Sequence, residues 1–347
     1  MYRWILLLLL PLLLTGCWDK KDPEDRVFIL ALGVDRAEEN YGFTLAPADI
    51  EKGEAEVYTA TAKTLAGAVA QIDTFTSRKT DLGQLKTIIL SRDILEERRL
   101  MEGLLQELER SRTVSAKVML LASEGSAADC VEAVMQEDGD SGLFLWDFYK
   151  NTAREVAVTK GMDLDTFLTE REERGGNIVL PRISLQAEKL RLGGGIAVSS
   201  NKIYSFSDRA ERGYLFLLGE AEGALLEEQY GAEILPLEIG KSEVSYEFLP
   251  LEEGICCWVT LPLEGTLQGG SDNFLSAEER KEVEVLFSEC IKEELLYTMG
   301  QAKEADLFGI LPRLRQQSPK LAEGAEWKDI SFVFQPELSL KDAGRKR

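Results

Sequence analysis

Trp4 to Leu14 is an apolar block interrupted only by Pro11, with Arg3 before it and Thr15-Gly16-Cys17 after it. Its length constrains everything that follows. Eleven residues suit the hydrophobic region of a secretory signal, whereas a helix that spans a bilayer needs about twenty. No later stretch of the chain is long and apolar enough to cross a membrane. The block ends in small residues, as a signal-cleavage site does, so residues 1–16 are expected to be a signal peptide. Residues 17–25 are polar and carry Pro23, which suits a short tether leading to the folded body.

Leu14-Thr15-Gly16-Cys17 resembles the lipobox of bacterial lipoproteins. That resemblance implies a diacylglyceryl group in thioether linkage to Cys17 and cleavage between Gly16 and Cys17. Two acyl chains give stable anchoring, where one binds only marginally. The expected molecule is therefore an acidic body tethered by lipid to the outer face of a membrane.

Composition narrows the chemistry of that body. The 347 residues include no histidine, which removes Ser-His-Asp and Cys-His catalysis, His-ligated zinc and imidazole proton transfer. Forty Lys and Arg face 61 Asp and Glu, a net charge of −21. Nucleic-acid binding and broad adhesion to anionic headgroups both ask for the opposite sign. Hydrophobic residues make up 44%, enough for two or three domains with cores of their own.

Past the tether, strands and helices alternate. Arg26–Asp35 and Tyr41–Ala46 predict a hairpin with its loop near Glu38-Glu39-Asn40, and Val57–Thr61 a third strand. Leu65, Ala68, Val69, Ile72 and Phe75 recur at helical spacing behind Thr64, a capping residue. Leu85–Leu90 reads as a strand, Arg92–Glu109 as one helix, and Lys117–Ala122 as a strand. Residues 126–172 are mostly helical, and Gly175–Leu192 is extended, with Pro181 arguing against a central ladder position. Gly193-Gly194-Gly195 marks a candidate boundary. Beyond it come short strands, a helix at Asp208–Leu217, and strand-like runs at 232–239, 242–249 and 255–267. Ser276-x-x-Glu279 is a capping box. It opens a helix whose apolar face carries Val283, Leu286, Phe287, Cys290, Ile291, Leu295 and Met299, with Gly300 as the stop; Ile330–Phe334 closes the pattern. The fold class expected is α+β, with three mixed α/β domains and largely antiparallel sheets: residues 26–125, a mostly helical middle at 126–192, and 193–343.

Few constellations carry chemistry. The glycine triplet lacks phosphate-loop spacing and suits a bulge or hinge. Asp138-Gly139-Asp140-Ser141-Gly142 has alternating oxygen ligands, but Leu143 and Tyr149 stand where a calcium loop needs Gly and Glu. The acidic pairs Glu38-Glu39, Glu172-Glu173 and Glu252-Glu253 follow from the charge alone. Phe144, Trp146, Phe148 and Tyr149 suit core or interface packing. Cys130, Cys256, Cys257 and Cys290 form no disulfide framework, and the adjacent pair would point to opposite faces of a strand. No enzyme, cofactor or metal is expected.

Several segments taken in order resemble one family. Cys17-Trp18-Asp19 and the strand ending Leu32-Gly33-Val34-Asp35 look like the start of the Ger(x)C lipoproteins of spore germination. Thr64-Leu65, Leu85-Lys86-Thr87-Ile88-Ile89-Leu90 and Glu107-Leu-Glu-Arg-Ser-Arg112 are similar to its amino-terminal region. Asp306-Leu307-Phe308-Gly309, Pro319-Lys320, Trp327 and Phe332-Val333-Phe334 resemble its carboxy-terminal domain. The departures are Ile310, where a second Gly is common, and the stretch 126–175. The resemblance implies the C subunit of a nutrient germinant receptor, on the outer surface of the inner spore membrane. It also implies assembly with polytopic A and B subunits, a response to amino acids, sugars or nucleosides, and no catalytic residues. Cys17 alone carries over as a chemical site. The alternatives from other classes are a lipid-anchored small-ligand-binding protein that delivers to a permease, and a carboxylate-pair cell-wall hydrolase.

Overall fold

The computed structural model describes residues 25–48, 57–138, 143–152, 159–187, 189–199, 202–268, 275–302 and 304–341. The near-continuous apolar run becomes β1 (Arg26–Ala37), and it turns at Glu38 (φ 56°) into β2 (Asn40–Pro47). β3 (Tyr58–Ala62) adds outside β2. Thr64 then caps α1 (Leu65–Ile72), its Oγ1 accepting from the Gly67 N–H at 3.0 Å. β4 (Lys79–Asp81) and β5 (Thr87–Ser91) both run parallel to β1. The single helix expected from Arg92 is two, α2 (Arg92–Glu96) and α3 (Arg98–Arg110), broken at Glu97 (φ −91°, ψ 87°). β6 (Met119–Ser123) and α4 (Ala127–Asp138) follow. α5 (Leu143–Asp147) runs into a π-helical turn at Phe148–Thr152, and Asp163 caps α6 (Leu164–Glu173).

β7 (Ile178–Gln186), β8 (Lys189–Val198) and β9 (Ile203–Phe206) complete a nine-stranded sheet among the described residues, ordered β3-β2-β1-β5-β6-β7-β8-β9 with β4 beside β1. The expected α+β class is met, and strand directions are mixed: the centre β1-β5-β6-β7 is parallel and the flanks are antiparallel. One local expectation is corrected here. Pro181 lies in an internal strand, tolerated because the β7–β8 register shifts between Pro181 and Ile183 and the pairing with β6 begins only at Arg182. The glycine triplet is inside β8, opposite that bulge, with Gly194 at φ 70°.

α7 (Asp208–Leu218) leads to a five-stranded sheet of β10 (Leu225–Tyr230), β11 (Glu233–Ser242), β12 (Ser245–Pro250), β13 (Ile255–Leu267) and β14 (Ile330–Leu340). β13 is central: β11 and β12 pair antiparallel along one of its edges, and β14 runs parallel along the other for eleven residues. α8 (Ala277–Gln301) shows the expected capping box and continues past Gly300; α9 (Ile310–Gln317) follows. β4 and β10 are strands that the sequence reading did not anticipate.

The core has three parts. α1, α3 and α6 bury Leu32, Ile88, Leu90 and Leu120 on one face of the larger sheet. α4 and α5 bury Ala31, Ile89 and Leu121 on the other. α7 and α8 cover one face of the smaller sheet around Val259, Leu261, Phe287 and Ile291.

Candidate functional site

Cys17, the sole site residue that the sequence names, lies outside the described residues, as does Gly139–Gly142 of the acidic turn. The acidic pairs Glu38-Glu39, Glu172-Glu173 and Glu252-Glu253 are exposed on three separate loops or helix ends. Among the described residues no group of three His, Cys, Asp or Glu side chains has metal-binding geometry. The four body cysteines are free, and burial pushes the Cys130, Cys257 and Cys290 thiols up to about 12, which makes them poor nucleophiles.

The polar side chains instead converge where the two sheets meet. α7 lies between them, packed on β8 and on α8. Its approach to α8 depends on Gly213, where a Cβ would come 2.1 Å from Thr298 Oγ1, and Thr298 Oγ1 donates to the Ala210 carbonyl at 3.0 Å. Arg212 forms a bidentate pair with the buried Glu294, its Nε donating at 2.8 and 3.1 Å. One residue back, Glu211 is wholly buried against Gly195, where a Cβ would come 2.5 Å from its Oε2. Thr159 Oγ1 lies 3.3 Å from Glu211 Oε1 and 3.4 Å from the Gly194 carbonyl. Oε2 and the nearby buried Tyr149 hydroxyl have no hydrogen-bond partner among the described residues. Burial raises the Glu211 carboxyl to about 7, against the opposing pull of the Lys160 N–H, Thr159 and Arg182.

A second tie runs from α6. Glu170 receives Lys160 at 2.9 Å and Arg174 at 2.8 Å, and Lys160 also reaches Glu220 at 3.3 Å. Arg174 then crosses into the second half of the chain, donating to Tyr214 Oη at 3.2 Å and the Leu307 carbonyl at 3.0 Å. Leu307 belongs to Asp306-Leu307-Phe308-Gly309, and each residue there has a structural task. The buried Asp306 carboxylate accepts from the N–H groups of Phe308, Ile310 and Leu311, which opens α9. Leu307 and Phe308 are core, and Gly309 takes φ 71° beside Arg174. Phe206, Tyr214, Phe308, Trp327, Phe332 and Phe334 form a continuous aromatic series from the larger sheet to the smaller, with successive ring centroids 5.4–6.3 Å apart. Around the Lys160–Glu220 pair is a cleft of about 1100 Å³, also lined by Met119, Tyr149, Asp163 and Glu238 among others. The arrangement holds no activated nucleophile. Its chemistry is fastening: buried charges are paired, and burial raises the pKa of one carboxyl, that of Glu211.

The amino-terminal segments fit together in the same manner. A Cβ at Gly33 would come 3.0 Å from the Ala127 carbonyl, and Asp35 accepts from the Ala127 and Ala128 N–H groups at 2.8 and 2.9 Å, so Leu32-Gly33-Val34-Asp35 seats the start of α4. Glu107 accepts from the Leu65 and Ala66 N–H groups at 2.9 and 3.0 Å, joining Thr64-Leu65 to the segment 107–112.

Comparison with known proteins decides the family. The family described as spore germination protein N-terminal domain matches residues 19–185, and the one described as spore germination B3/GerAC like, C-terminal, matches residues 194–342. The chain belongs to the Ger(x)C family of spore-germination proteins, the C subunits of germinant receptors. Spore germination protein GerQC of Bacillus cereus is 25% identical over 198 residues, 56% of this chain and 54% of GerQC, so that match spans about half of the relative's length. Putative spore germination protein YfkR of Bacillus subtilis (strain 168) is 21% identical over 99% of this chain and 97% of its own. The crystal structure of the GerBC protein shares the fold, with a TM-score of 0.57 at 14% identity over 89% of this chain and 96% of that one.

Membership makes this a spore-germination protein of a receptor-subunit family, not of a known enzyme class. Among the described residues no helix is long and apolar enough to cross a membrane. Among the Ger(x)C segments that suggested the family, Leu32-Gly33-Val34-Asp35, Thr64-Leu65, Glu107 and Asp306-Leu307-Phe308-Gly309 serve as caps and close approaches. Sequence reasoning missed the buried carboxylates Glu211 and Glu294. The available signal was position: each sits in the apolar row of its helix, Glu211 between Ala210 and Tyr214, and Glu294 in the row of Phe287, Ile291 and Thr298.

Proposed function

We propose that this chain is a lipid-anchored C subunit that works by docking onto membrane-embedded A and B subunits of a nutrient germinant receptor. Cys17 carries the diacylglyceryl anchor, residues 17–25 are the tether, and the body stands on the outer surface of the inner spore membrane. The observation that carries this reading is the ordered pair of family matches over residues 19–185 and 194–342. Anchoring confines the body to the membrane plane and raises its effective concentration at the polytopic subunits, so that a weak docking surface suffices. The junction between the two sheets keeps the docking surfaces of both halves in one orientation. Delivery of a ligand to a permease asks for two comparable lobes about a cleft, and the two sheets here differ in strand number, order and coverage. The test is Cys17→Ala in spores. It should release the protein from the membrane fraction and lower nutrient-triggered germination; unchanged membrane association with unchanged germination would overturn the reading.

A further inference from the structure

The most exposed large apolar side chain among the described residues is Phe75, at 79%. It lies in the turn between α1 and β4, and nothing in the core accounts for it. Arg78 and Lys79, three and four residues on, are exposed, and neither forms an ion pair among the described residues. Arg26, opposite Lys79 at the start of β1, is by contrast paired with Asp81. The carboxylates beside the turn are engaged: Asp81 pairs with Arg26, and Asp73 accepts from the Thr80 N–H at 2.8 Å. An aromatic ring with two free cations is the composition of a residue cluster that settles at a lipid headgroup boundary.

The sheet register places this cluster where the chain leaves the body. β4 is parallel to β1, with Lys79 opposite Arg26 and Thr80 opposite Val27. The turn that enters β4 is therefore at the same edge of the larger sheet as the start of β1. Nine residue steps separate Arg26 from Cys17, and a fully extended chain covers at most about 3.5 Å per step, roughly 30 Å in all. A bilayer that holds Cys17 lies within that distance of Arg26, the residue opposite Lys79.

We infer that the α1–β4 turn, Phe75 with Arg78 and Lys79, is a second membrane contact, resting the body on the lipid surface and fixing which way it faces. The inference rests on the lipid anchor at Cys17. Net negative charge does not oppose it, because a local contact of one ring and two cations needs no basic surface elsewhere, and the anchor supplies the attachment. The anchor alone leaves the body free to swivel. The turn converts a tethered body into an oriented one.

The experiment uses the full chain, matured and acylated in a bacterial membrane and reconstituted into phosphatidylcholine–phosphatidylglycerol vesicles. A polarity-sensitive thiol dye is placed at Ser77→Cys, and in a second preparation at Glu253→Cys on the β12–β13 turn; the native body thiols are suppressed by burial. Flotation of the vesicles reports the anchor independently. The expected result is that both preparations float, while emission shifts to the blue and is quenched by bromine-labelled lipid only at position 77. Adding Phe75→Asp, Arg78→Glu and Lys79→Glu should abolish that quenching and leave flotation unchanged. Flotation without quenching at position 77, equal quenching at both positions, or quenching that survives the triple substitution would overturn the contact while the anchor stands. Failure to float would overturn the anchor and the contact together.

Discussion

The two sheets solve the same burial problem differently. The larger sheet is covered on both faces, by α1, α3 and α6 on one and by α4 and α5 on the other. Consecutive residues of its central strands are therefore all buried, as in Thr87-Ile88-Ile89-Leu90-Ser91. The smaller sheet is covered on one face only, and β14 alternates accordingly, with Ile330, Phe334 and Leu338 inward and Ser331, Val333 and Gln335 outward. Parallel pairing goes with double coverage in the larger sheet, because each crossover lays a helix over a face. Both faces of the larger sheet are therefore occupied by its own helices, whereas the smaller sheet keeps an open face with Trp258, Val333 and Leu249 exposed.

The largest expected effects test that contrast directly. Ile88→Ala and Ile89→Ala are neighbours on opposite faces, and each should cost about 3 kcal/mol in chemical unfolding, within the range for emptying a core site. On β13, Leu261→Ala should cost a similar amount. Near-neutral behaviour of Ile89→Ala would mean that the α4 face is not core, and the contrast would collapse. Next in size is Arg174→Met, which strips a buried partner from Glu170 and the tie to Leu307. A loss of about 3 kcal/mol is expected, with proteolysis newly admitted between the two halves; retention of both stability and protease resistance would show that the junction does not fasten them.

Glu211 gives a smaller, pH-dependent effect. Its carboxyl titrates at about 7 in the folded chain, against 4.5 in the reference state. The folded state thus holds a proton that the unfolded state releases between those values, and stability falls as pH rises through that window, then stays at the lower level. Glu211→Gln removes the buried charge. It should flatten the profile between pH 4.5 and 7 and raise stability at pH 8 by on the order of 2 kcal/mol; an unchanged slope would place the titration elsewhere. Smallest of all is Val333→Ala on the open face, expected to shift stability by less than about 0.5 kcal/mol. Its use is in binding: loss of partner capture without loss of stability would mark that face as a docking surface.

Much of this was legible in the chain. The hairpin at Glu38, the cap at Thr64 and the capping box at Ser276 are local signals, and each element formed where its signal lies. Alternation in β13 and β14 and its absence in β5 carry the difference between the sheets. Long-range facts were not legible. Pro181 looked like an edge residue because a single sequence does not show the bulge opposite the glycine triplet that accommodates it. Glu97 breaks a helix without a glycine or proline to announce it. The junction escaped because its members, from Lys160 to Asp306, are far apart in the chain and individually unremarkable. The family segments were recognisable, but the contacts of Glu107 with the start of α1 and of Asp35 with the start of α4 join residues far apart in the chain.

Affinity capture of the tagged chain from detergent-solubilised spore membranes, followed by mass spectrometry, tests the receptor-subunit reading most directly. Two polytopic partners recovered in fixed ratio with a diacylated Cys17 is the predicted result. Recovery of the acylated chain alone would contradict it, leaving a lipoprotein without a complex and returning ligand delivery to first place.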